Sequence, residues 1–90
     1  MIDIQDVQNT LARMAELLRT GGINDWAAAL EGMRIEIAED PARASAKILS
    51  MYGGMGSLND LVLYKDGQPL TRDNSELDVL RSKLYSLCHD

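Results

Sequence analysis

The sequence predicts a mainly α fold: a single helical domain over residues 1–90, with about four helices and one short β-hairpin between the third and the last. Three observations predict it. Apolar residues recur at spacings of three and four along several stretches, the pattern of a helix with one buried side. Asp66-Gly67, between two apolar runs, is the dipeptide that best fits a two-residue hairpin turn. Gly21-Gly22, Asp40-Pro41 and the run Gly53-Gly54-Met55-Gly56 punctuate the chain where helices must stop or start.

In the first helix Ile4, Val7, Leu11, Met14 and Leu18 form the stripe, which Leu17 widens, while Gln5, Asp6, Gln8, Arg13, Glu16 and Arg19 fall outside it. Asp3 is placed to accept from a free N–H at its start, and Gly21-Gly22 tolerates the positive φ at its end. A second helix opens at Asn24 or Asp25 and runs to about Ala38, burying Trp26, Leu30, Met33 and Ile37, with Ala27 and Ala29 permitting close approach. Its last part, RIEIAED, alternates Ile35 and Ile37 with charges, so a short strand is the alternative there.

Asp40 then caps a third helix with Pro41 at its first position, where the missing N–H costs nothing. That helix spans about Pro41 to Tyr52 and turns Ala44, Ile48, Leu49 and Tyr52 inward. In the hairpin, Lys65 faces Gln68 and Leu63 faces Leu70, which sends Leu61, Leu63 and Leu70 toward the helices. Pro69 donates no ladder hydrogen bond and keeps the return strand short. Asp73 with Glu76 reads as a capping box for the last helix, whose stripe is Leu77, Leu80, Leu84 and Leu87.

A chain of 90 residues without phenylalanine has a thin core built from Leu, Ile, Met, Ala and Trp26. Its net charge of −5 opposes nucleic acid and anionic membrane as partners and favours a basic protein. Cys88 is the only cysteine, so an internal disulfide is excluded and the thiol is expected at the surface of a helix end. The N-terminus MIDIQDVQNT lacks the charge pattern of a signal peptide, and the expected location is cytoplasmic.

The glycine corner GGMGSLND lacks the Lys-Ser/Thr pair of a phosphate loop and does not fit G-x-G-x-x-G. Its expected role is structural: Gly53 ends the third helix in the left-handed conformation, and Gly54 and Gly56 let the hairpin fold back at close range. Ser57, Asn59 and Asp60 are placed to bond back to local backbone. Acyl transfer through Ser57 needs a base, and the only histidine is the penultimate His89. Cys88 and His89 fall short of a zinc site, and Glu36, Glu39 and Asp40 lack the spacing of a calcium loop. No catalytic residue, metal or cofactor is expected.

The strings YGGMGSLNDLVLY and NSELDVLRSKLYSLC resemble a family of small uncharacterised bacterial proteins that share a GGMGS-x-ND core and a Leu-rich last helix. The resemblance covers about Ile48 to Cys88 and implies an immunity-type protein that neutralises a bacterial toxin. It carries over Gly53, Gly54, Met55, Gly56, Ser57, Asn59 and Asp60. The expected function is therefore non-catalytic occlusion of a basic toxin domain by an acidic surface. Its contacts are Asp25, Glu31, Glu36, Glu39 and Asp40, with Met55 and Tyr64 as apolar anchors and Ser57, Asn59 and Asp60 beside them. The alternative is a self-associating structural or regulatory module that pairs through the Ile4-to-Leu18 stripe, so monomer and homodimer both stand.

Overall fold

A computed structural model describes residues 2–53 and 56–89. Its elements are α1 (Ile4–Thr20), α2 (Asn24–Glu39), α3 (Pro41–Ser50), a 3-10 turn (Leu58–Asp60), β1 (Tyr64–Lys65), β2 (Gln68–Pro69) and α4 (Thr71–Cys88). The expected four helices and hairpin are present in the expected order. α1 is the centre of the bundle, packing against α2 on one side and α4 on the other; α3 closes the layer between α2 and α4.

The stripe read from the sequence explains that position. Val7, Leu11, Met14 and Leu18 are all 0% exposed, and they meet Leu30 and Ile37 of α2, Ile48 of α3, and Leu77 and Leu84 of α4 in one core. These four side chains of the stripe are therefore buried within the chain, while Ile4 at its start is partly exposed. Trp26 is only partly buried, at the margin of the core.

The caps follow local chemistry. The Asp3 carboxylate accepts from the N–H of Asp6 at 3.0 Å, and Asp40 accepts from the N–H of Arg43 at 3.2 Å. The strand alternative for RIEIAED is overturned, since α2 continues through it to Glu39; Ile37 points into the core while Ile35 is left outside. The capping box at Asp73 is also overturned. α4 already begins at Thr71, the N–H of Asn74 bonds to the carbonyl of Leu70 at 2.8 Å, and Glu76 is drawn to Arg13 of α1 instead.

Gly53 does not end α3 in the left-handed conformation. The helix stops at Met51 with right-handed backbone, where the N–H groups of Met51 and Tyr52 bond three residues back to Ile48 and Leu49. Among the described residues of this corner the positive φ, +73°, falls at Gly56. The close approach expected of Gly56 lies elsewhere: a Cβ there would meet nothing within 4 Å, whereas one at Gly21 would sit 2.7 Å from Leu63 Cδ2. Gly54 and Met55 lie outside the described residues.

Tyr64 pairs with Pro69 and Lys65 with Gln68, with Asp66 and Gly67 at φ 54° and 76° as a type I′ turn requires. The Leu70 N–H continues the pairing to the Leu63 carbonyl at 2.9 Å. Cys88 is not at the surface: it is 3% exposed and belongs to the core, because α4 turns it inward one helical turn beyond Leu84.

Candidate functional site

Two surface regions carry polar groups in an organised setting. The first is the corner where α3, the 3-10 turn and α4 meet. The N–H of Leu58 donates to the carbonyl of Met51 at 2.8 Å, turning the chain back on itself. Asn59 Nδ2 donates to the carbonyl of Tyr52 at 2.9 Å, and Asp60 Oδ2 accepts from the N–H of Gly56 at 2.8 Å, so both side chains hold local backbone as expected. Ser57 is different: it is buried, at 7% exposure, and offers no surface to a partner.

Sequence reasoning missed Arg81, which dominates this corner. Its Nη1 donates to the carbonyls of Leu58, Asn59 and Leu61 at 3.0, 3.2 and 3.1 Å, and its Nη2 pairs with Asp78. The guanidinium thus replaces the regular backbone partners that this irregular segment lacks. Tyr52 donates from its hydroxyl to the carbonyl of Arg81 at 2.7 Å and meets Tyr85 edge-on, with centroids 5.2 Å apart. Burial pushes the Tyr52 hydroxyl well above its ordinary pKa of 10. An open groove of about 920 Å³ runs over Tyr52, Asn59, Arg81 and Tyr85. Because Arg81 is occupied by carbonyls and Asp78, its charge serves the fold.

The second region is the outward side of α2. Asp25, Glu36 and Glu39 fall on one face of that helix by their spacing, and Glu31 lies on its flank toward α1. Two of these acids are matched on site. Glu31 accepts from Arg34 at 2.8 Å with Arg19 at 4.0 Å, and Glu36 pairs with Lys47 of α3 at 2.7 Å. Asp40 is committed to capping α3. Asp25 and Glu39 are exposed, and among the described residues no Lys or Arg nitrogen lies within 4.0 Å of either carboxylate.

Ile35 stands among these acids at 64% exposure. The sequence held a signal for it, since Ile35 is the residue of RIEIAED that fits strand alternation and falls off the helix's inward stripe. Of the two expected anchors, Tyr64 is the one among the described residues; it is 53% exposed and lies in the hairpin. Of the expected contacts, Asp25, Glu36 and Glu39 thus share one face of α2, Asn59 and Asp60 hold the corner, and Tyr64 stands in the hairpin.

Among the described residues no group of three or more His, Cys, Asp or Glu is placed to hold a metal ion. Among the described residues no helix is long and apolar enough to cross a membrane.

These features define a small four-helix domain with a side-chain-locked loop between its third and last helices. The model of a domain of unknown function, DUF6966, matches residues 19–71, more than half of the chain, and the chain belongs to that family. The match runs from Arg19 through α2 and α3 to Thr71, so it takes in part of the N-terminal half but leaves out the Leu-rich last helix on which the resemblance also rested. No curated protein and no solved structure matches the chain.

Proposed function

We propose that this protein is a non-catalytic binding module that recognises a basic protein surface, most concretely an immunity-type protein that occludes a toxin's active site. The observation that carries the reading is Ile35, a large apolar side chain left 64% exposed on a helix face bounded by Asp25, Glu36 and Glu39. An exposed apolar residue ringed by charge has the anatomy of a small interface core and its rim. The acids add long-range attraction for a cationic partner and raise the rate of encounter. Inhibition in this scheme is steric and stoichiometric, with no turnover.

The test is growth protection. The chain is co-expressed with the product of the adjacent gene, and host survival is measured for the wild type and for the double variant Asp25→Lys/Glu39→Lys, which spares the Asp40 cap. The expected result is protection by the wild type and its loss in the variant, with helical circular dichroism unchanged. An adjacent product that is harmless when expressed alone, or protection that survives the double variant, contradicts the reading.

A further inference from the structure

The outward face of α2 has a pattern that specifies more than an acidic surface. Helical spacing puts Ala28, Gly32 and Ile35 on the side of α2 opposite the buried Ala27, Leu30, Met33 and Ile37. A Cβ at Gly32 would meet no atom within 4 Å. Gln8, Glu31, Arg34 and Ile35 stand around that glycine and leave a depression of about 360 Å³. An apolar side chain seated there reaches the backbone of α2 and covers Ile35 at the same time.

The two ends of the face are acidic. Asp25 and Glu39 lie in the first and last turns of α2, fourteen residues apart, or about 21 Å along a helix axis. Glu39 sits where the helix macrodipole disfavours a carboxylate, and α2 has no basic residue in its last turn. Its cost is thus not offset within its own helix.

This arrangement selects among occupants. Two copies of α2 crossed antiparallel at Gly32 set Asp25 of each against Glu39 of the other, and a parallel crossing sets like against like. Either brings together four carboxylates that have no Lys or Arg partner among the described residues, so charge works against a second copy of this chain. We infer that this face docks a helix of a different protein, with a small apolar centre that fills the Gly32 depression and Lys or Arg at both ends, about 21 Å apart. The inference rests on the binding-module reading and adds the chemistry of the partner.

The probe is a synthetic helical peptide with a Leu/Ala face and a pair of Lys residues at each end, fourteen positions apart, compared with a scrambled peptide of the same composition. Amide chemical shifts of the isotope-labelled chain are followed during titration. The expected result is a saturable change centred on Ala28, Gly32 and Ile35, at least tenfold weaker binding of the scramble, and a loss of at least tenfold in Ile35→Asp and in Gly32→Gln. Shifts centred on Tyr52 and Arg81, equal binding of the scramble, an unaffected Ile35→Asp variant, or no saturation overturns the inference. So does sedimentation showing a dimer that dissociates on Ile35→Asp, because the face then serves a second copy. Failure of the peptide with growth protection intact overturns this inference alone; failure of protection with peptide binding intact overturns the immunity reading alone.

Discussion

Asn74 pairs with both backbone groups of Leu63: its Oδ1 accepts from the Leu63 N–H at 2.7 Å, and its Nδ2 donates to the Leu63 carbonyl at 3.0 Å. A side-chain amide here does what a neighbouring strand does in a sheet, tying the chain just before the hairpin to the first turns of α4. The Leu63 carbonyl also receives the Leu70 N–H, but Asn74 is the acceptor the structure gives the Leu63 N–H. Asn74→Ala therefore leaves a part-buried donor without its partner and is expected to cost about 1–3 kcal/mol. A fall in the urea midpoint at constant slope checks it, and an unchanged midpoint contradicts it.

Glycine substitutions separate close packing from open surface. Gly21→Ala puts a Cβ 2.7 Å from Leu63 Cδ2 and 3.2 Å from Leu63 Cβ, and Leu63 is 0% exposed, with no room to swing away. The expected destabilisation is about 1–3 kcal/mol. Gly32→Ala meets open space inside a helix, where alanine gains about 0.5–1 kcal/mol over glycine. Thermal melts of the two variants should move in opposite directions.

Acid stability reports the link between α1 and α4. Arg13 donates to both carboxylate oxygens of Glu76, at 2.5 and 2.9 Å, and holds its carboxyl below the ordinary value of 4.5. A depressed carboxyl adds stability that is present above its unfolded value and is lost as pH falls through the folded one. Both partners are exposed, so the effect is small and screened by salt. Urea midpoints of Glu76→Gln should fall less between pH 5 and pH 3 than those of the wild type, and the difference should shrink at 1 M salt. Equal acid-side slopes in low salt contradict the pairing.

At the alkaline side the sign reverses. Burial pushes the Cys88 thiol above its ordinary 9.0, against a smaller opposing effect of the Ser45 hydroxyl, and burial likewise raises Tyr52. Stability from these neutral groups is intact below their unfolded values and is lost as pH rises through the folded ones. The Cys88 thiol should accordingly resist a disulfide reagent at pH 8, reacting only as α4 opens, with a rate that follows denaturant. Reaction at the rate of a free thiol contradicts its burial.

The helices and the hairpin were legible because each rests on short-range rules: the Val7-to-Leu18 stripe, the Asp3 and Asp40 caps, and the Asp66-Gly67 turn. The misreadings share a different cause. Asp73 and Glu76 have the spacing of a capping box, but Arg13 lies 63 residues from Glu76 in sequence and only the packed bundle brings them together. Gly53 sits where a helix ends, yet α3 closes by tightening its last turn and needs no left-handed residue there. The role of Arg81 depends on three carbonyls from a segment about twenty residues earlier, which no local pattern announces. For the candidate site, the acids of α2 were visible in the sequence; the depression at Gly32 was not, because it is formed jointly with Gln8 of α1.

The central claim is that α2 presents an apolar centre between two acidic ends to a basic helix, and charge exchange across that contact tests it most directly. The four combinations of wild-type or Asp25→Lys/Glu39→Lys chain with the Lys-ended or a Glu-ended peptide are titrated under one set of conditions. Two exposed ion pairs at about 0.2–1 kcal/mol each predict roughly a two- to thirtyfold preference for either matched combination over the mixed ones. Recovery of binding when both sides are reversed is the result this account predicts. Equal affinity in all four combinations would show that the acidic ends do not meet the partner and would contradict it.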